Sequence, residues 1–173
     1  MQNTKRLCFL ALLTAAALCM FILEAQLPPL TTIPGIKPGL SNIFTLVVCR
    51  LMGPGAALAL LLARVILGCL ITGQVSAMGY SLCGGLLSWL LMLLLRKSPQ
   101  LWAVSMCCGA AHNLGQLALA VFVLGSAAVL WYTPVLILSG MIAGLFTGLV
   151  ASLIVKRLQK SQIIHSISGD DAP

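Results

Sequence analysis

Arg64 lies in the apolar run ARVILGCL, with no other charge inside it. An ionised side chain at the centre of a bilayer costs ~2.5–3.5 kcal/mol on insertion scales, so it must face a packed interior or a wet cavity. Two readings are open for it. It forms a buried pair with Glu24 or bonds to carbonyl groups, or it is a cation that binds a ligand. Gly68, one turn along the same face, would leave room beside the guanidinium. The second polar cluster is AHNLGQ. Here His112 and Gln116 are four apart and share a helix face, Asn113 lies beside them, and Ser105 is two turns inward. Side chains this polar in an apolar run either cross-link helices or line a binding cavity. Tyr80 and Ser81, followed by Gly84-Gly85, extend the candidate site to a neighbouring run; the glycines serve close packing or close approach of a ligand.

A stiff loop precedes these runs. Pro28, Pro29, Pro34 and Pro38 fix φ along it, and two Pro-Gly pairs suited to type II turns flank Lys37. Ser41 and Asn42 follow, residue types suited to capping the next helix. A helix start carries unpaired N–H groups and the positive end of the macrodipole, an arrangement that attracts anions. Lys37, the Asn42 helix end, Arg64 and His112 together favour an anionic ligand under a rigid lid. Glu24 is the carboxylate placed to gate such a site, pairing with Lys37 or Arg64 when it is empty.

The elements that must position these groups are membrane helices. The 173 residues are 60% hydrophobic and 8% charged, against about 25% charged in soluble domains. Six apolar segments span 7–24, 39–52, 54–72, 75–95, 101–124 and 133–155. A bilayer crossing takes ~20 residues, so the second segment is short for one. With six helices, Lys5, Arg6, Arg50, Arg96, Lys97, Lys156, Arg157 and Lys160 all fall on one side. The positive-inside rule makes that side, and both termini, cytoplasmic. The expected architecture is therefore an all-α six-helix transmembrane bundle over 7–158. A cytoplasmic tail, 1–6, precedes it, an outer lid loop occupies 25–38, and a polar tail, 159–173, follows. Trp131 and Tyr132 fall at the outer end of the sixth helix, where an aromatic belt is expected.

The net charge of +7 would suggest nucleic acid in a soluble protein. Here the cations mark the ends of apolar runs, so membrane lipid, not nucleic acid, is the expected surrounding. The seven cysteines sit in or beside apolar runs without CxxC or Cys/His spacing, which points to small buried side chains and no metal. Asp170 and Asp171, the acidic residues besides Glu24, lie in the polar tail. No Walker A pattern is present, so ATP is not a cofactor of this chain, and no nucleophile–base pair suggests catalysis. Small residues form stripes at Gly140, Gly144 and Gly148, at Gly55, Ala59 and Ala63, and at Ala11, Ala15 and Cys19. The first two suit packing inside the bundle. The third suits either that or docking to another protein.

The runs PGIKPGLSNIFTL, ARVILGCL, YSLCGGLLSWL and AHNLGQL, in that order, resemble the Gx transporter family, also labelled heptaprenyl diphosphate synthase component I. That family is similar to the substrate-binding S components of energy-coupling factor (ECF) transporters. The resemblance implies a six-helix protein of the bacterial cytoplasmic membrane that takes a small nutrient from outside. Partners would be a transmembrane T protein and two ATPases, which would use the ATP. It also implies docking through Ala11 and Ala15, and a ligand capped by the loop that carries Lys37. The label makes an isoprenoid or quinone precursor the expected substrate. The alternative is a non-catalytic membrane partner of a polyprenyl diphosphate synthase. The Asp-rich motifs of such synthases have no counterpart within the apolar segments.

Overall fold

A computed structural model describes residues 2–26 and 39–161. Six α-helices follow one another: α1 Gln2–Gln26, α2 Asn42–Leu51, α3 Pro54–Ile71, α4 Val75–Leu94, α5 Leu101–Leu124 and α6 Thr133–Lys160. No strand occurs among the described residues. All of them except α2 are long and apolar enough to cross a membrane. The protein is an all-α membrane bundle.

The helix ends differ from the apolar segments in ways the backbone explains. α1 begins at Gln2 and α6 runs to Lys160, because Gln, Lys and Arg continue a helix as readily as Leu does. Trp131 and Tyr132 close a short 3-10 helix, Ala127–Tyr132, and lie ahead of α6; Pro134 sets where α6 starts. Both aromatic side chains are exposed. Lys37 and the prolines of its loop fall on residues 27–38, and the terminal aspartates on 162–173, outside the described residues.

Ten residues of α2 rise only ~15 Å, about half the hydrocarbon thickness. The short helix is nonetheless a centre of the fold. Ile43, Leu46, Val47, Val48 and Cys49 pack with Ala17 of α1, Leu60 of α3, Met92 of α4, Val104 of α5 and Ala151 of α6. It turns directly into α3 at Gly53, whose φ of 99° is open to glycine at little cost. Its N-terminus therefore starts inside the bundle, at the level where Arg64 leaves α3.

The tightest seam joins α5 and α6. A Cβ on Gly109 would strike the Gly140 carbonyl oxygen, one on Gly144 would strike that of Ser105, and one on Gly148 would lie 2.7 Å from Trp102 Cα. Absent side chains let the two backbones touch, which is how small-residue stripes hold helices together in lipid. Ser105 and Thr147 join their hydroxyls across this seam at 3.0 Å. Val135, Leu138, Ile142, Phe146, Leu149 and Leu153 cover the opposite, exposed face of α6.

The stripe on α3 departs from expectation. Gly55 and Ala59 are not buried, and a Cβ on Gly55 would meet nothing within 4 Å. The buried face of α3 runs instead through Ala57, Leu60, Leu61, Arg64, Val65 and Gly68. Arg64 decides this: the face that carries the charge must turn inward, and it takes Gly68 with it. On α1, Ala17, Phe21 and Glu24 are buried, whereas Ala11, Ala15 and Cys19 are exposed.

Candidate functional site

Arg64 and Glu24 meet the start of α2 from two sides. Arg64 is 2% exposed and Glu24 4%. The Glu24 carboxylate accepts the backbone N–H of Leu40, and that of Ser41 at 3.2 Å. Arg64 donates from Nη1 to Ser41 Oγ and from Nη2 to Asn42 Oδ1, the latter at 2.8 Å. Ser41 is thus the shared residue, giving its N–H to the anion and its hydroxyl to the cation. Opposite charges reach each other through it, and each buried ion gains hydrogen bonds that offset its lost hydration.

This geometry changes the role of the helix start. The N–H groups of Asn42 and Ile43 bond to the carbonyls of Gly39 and Leu40, at 2.9 and 3.1 Å. With Leu40 and Ser41 held by Glu24, the anion position at this end of α2 is filled by the protein's own carboxylate. Ser41 sits at the N-cap position with helical φ and ψ and makes no side-chain cap. Its hydroxyl, like the Asn42 carbonyl oxygen, is directed to Arg64 instead. Sequence alone missed this because a cap and a guanidinium partner call for the same residue types.

The network continues to α5. Asn42 Nδ2 lies 3.4 Å from His112 Nδ1. Because Asn42 Oδ1 accepts from Arg64, its amide nitrogen is the group turned to His112, and it donates there. His112 Nδ1 is then the acceptor, so the neutral ring carries its proton on Nε2, beside a hydrogen bond to the Gly84 backbone. Gly84 is needed for this approach: a Cβ there would lie 2.6 Å from the His112 carbonyl oxygen and 2.9 Å from Gln116 Cγ. Gly39, φ 73°, closes the other side, where a Cβ would lie 2.9 Å from Asn42 Nδ2.

Asn42 and His112 open onto a small cavity. Gly39, Ser88, Ser105, Cys108 and Thr147 complete much of its polar lining, and Met92 forms part of its wall. Its free space is ≈ 10 Å³, room for about one water. Ser88 Oγ donates to the Cys108 carbonyl at 3.0 Å, so part of this lining is engaged in joining α4 to α5. Arg64 Nε, in contrast, is buried and has no hydrogen-bond partner among the described residues.

The other sequence-derived candidates are dispersed. Asn113 Nδ2 donates to the Leu136 carbonyl at 2.7 Å, which ties α5 to α6 on a side away from Asn42. Gln116 is buried against Gly84. Ser81 is buried on α4, and Tyr80 packs beside Leu117, Ala120, Val129 and Leu136. Gly68 makes room for the Phe21 ring of α1, which a Cβ there would strike, and not for a ligand. Gly85 similarly admits Leu61, so both glycines of the pair serve packing. Gly39, Ser41, Ser88 and Thr147 join the site without having been candidates. Only the Ser-Asn pair beside Gly39 left a trace of it in the sequence. Asn42→Ala and Asn113→Ala should therefore separate. Each lowers stability by about 1 kcal/mol or more, but only the first alters the environment of the His112 ring, read by its 15N chemical shifts. Equal shifts from both variants would refute the separation.

Comparison with curated proteins and with solved structures finds no match. Residues 13–154 match the family described as heptaprenyl diphosphate synthase component I, and with most of its length matched the chain belongs to that family.

Proposed function

We propose that this chain is the substrate-binding S component of an ECF-type uptake transporter, working from the bacterial cytoplasmic membrane with both termini in the cytoplasm. It binds a small anionic or amphipathic nutrient from outside, an isoprenoid or quinone precursor being the class its family suggests. It is not itself an enzyme and holds no cofactor; ATP is used by partner ATPases. The observation that carries this reading is the Arg64 guanidinium, buried at the start of α2, with its Nε–H unpartnered among the described residues. A buried donor of full charge is costly to leave unmatched. A ligand carboxylate or phosphate, with Lys37 as a second cation, answers that need. Asn42 and His112 form the second wall, and Glu24 holds the helix start while the site is empty.

The exposed Ala11 and Ala15 on α1 supply the docking face for a T protein. Mass spectrometry of small molecules extracted from the purified protein tests the binding reading. An acidic compound retained by the wild type and lost from Arg64→Gln is expected, and retention by both would remove Arg64 from the site. Ala11→Trp should abolish copurification with a T protein and its ATPases. The family's description favours a second reading, a non-catalytic membrane partner of a polyprenyl diphosphate synthase. In that case a soluble prenyltransferase copurifies, and Ala11→Trp leaves it bound.

A further inference from the structure

The hydroxyl protons around the cavity under Asn42 and His112 are all committed. Thr147 Oγ1 donates to the Gly144 carbonyl at 3.1 Å and lies 3.0 Å from Ser105 Oγ. A hydroxyl has one proton, so both bonds are made at once only if Ser105 is the donor to Thr147. Ser88 gives its proton to the Cys108 carbonyl. His112 accepts from Asn42 at Nδ1, and its Nε2–H is beside the Gly84 backbone. What the lining still offers is lone pairs on the Ser88, Ser105 and Thr147 oxygens and, facing them, the second N–H of the Asn42 amide. The Cys108 thiol adds only a weak donor. Ser88, Ser105, His112 and Thr147 are all buried, so bulk solvent does not answer these groups.

A complementary occupant donates more than it accepts and fits a free space of ≈ 10 Å³. An anion would meet one amide N–H and three hydroxyl lone pairs. A metal cation would find no carboxylate in the lining, and the Arg64 guanidinium, bonded to Asn42, would repel it. A water molecule donates twice, accepts as well, and has this size. We propose that the cavity holds one resident water, accepting from Asn42 Nδ2 and donating to the oxygens of Ser88 and Ser105. It joins α2, α4 and α5 directly, and α6 through the Ser105–Thr147 bond. With it in place, the two amide protons of Asn42 go to His112 and to the water, and the amide oxygen is left for Arg64. The water thus fixes the orientation of the side chain that receives the buried cation. The cavity has no room for a solute, so this site stands whether or not the solute-binding reading holds.

X-ray radiolytic labelling read by mass spectrometry tests this, because radicals formed from a bound water oxidise the side chains beside it. Cys108 lines the cavity and is 2% exposed. Cys69, 0% exposed and outside this lining, is the reference for a cysteine with no water beside it. In the full chain held in lipid nanodiscs, Cys108 should be oxidised on the order of fivefold faster than Cys69. Ser88→Ala/Ser105→Ala enlarges the cavity but removes the two acceptors. A cavity without polar partners stays dry, so oxidation of Cys108 should fall to the Cys69 level. A crystal structure of the unaltered chain, at a resolution that shows waters, is the second measurement and needs no variant. It should show a peak within hydrogen-bonding distance of Asn42 Nδ2, Ser88 Oγ and Ser105 Oγ. Equal oxidation of the two cysteines in the wild type would overturn the proposal. So would faster oxidation of Cys108 in the enlarged cavity, or well-ordered lining side chains with no peak between them.

Discussion

An Arg64→Met protein should lose about 3–5 kcal/mol of stability, the usual effect of removing one partner from a buried charge network. The substitution keeps an unbranched apolar stem but leaves Ser41 Oγ and Asn42 Oδ1 without their donor. It also leaves the Glu24 carboxylate buried with no cation opposite. Glu24→Gln should cost less, because its amide oxygen still accepts from Leu40 or Ser41. The decisive comparison is with the double variant. With both charges gone the interior is neutral, so Glu24→Gln/Arg64→Met should be more stable than the sum of the single changes implies, by about 1–3 kcal/mol. Unfolding by SDS titration in mixed micelles reads all four corners of this cycle. Strict additivity would show that the two ions do not feel each other through Ser41.

Gly109→Val should be the most damaging substitution among the glycines. The added Cβ falls on the Gly140 carbonyl oxygen, 3.0 Å from its carbonyl carbon and 3.2 Å from Gly144 Cα. Every one of these atoms is backbone, so no side chain can swing aside. The helices must separate, and the Ser105–Thr147 and Asn113–Leu136 bonds stretch with them. Overpacking alone costs about 1–3 kcal/mol, and each lost buried bond adds about 1 kcal/mol. Gly55→Ala is the matching control. Its methyl meets nothing within 4 Å, so stability should stay within about 0.5 kcal/mol. Comparable losses in the two proteins would mean that α5 and α6 are not locked by backbone contact.

Helix number, order and the shortness of α2 were legible in the sequence because apolar run length against bilayer thickness is a strong constraint. The inward direction of Arg64 was legible for the same reason. What could not be read is which face of an apolar helix meets protein and which meets lipid. Leucine and alanine serve both surroundings, so polarity does not mark the boundary as it does in water. The small stripes on α6 and α3 look alike in sequence; the first packs against α5, and the second leaves Gly55 with open space beside it. Asn113 and His112 are adjacent, and one helix step of about 100° sends them to α6 and α2 respectively. The filling of the α2 start by Glu24 joins residues 16 and 17 positions apart, a contact that no local pattern encodes.

Met92 lines two small spaces, the polar one under Asn42 and His112 and a second, of ≈ 20 Å³, lined also by Arg50 and Arg96. This one buried side chain therefore touches both spaces, within the core that α2 organises. A methionine side chain turns about three bonds and adapts to what lies beside it. What fills one space is therefore felt in the other through the packing of a single flexible side chain. A larger or branched residue at position 92 would disturb the packing of both spaces at once.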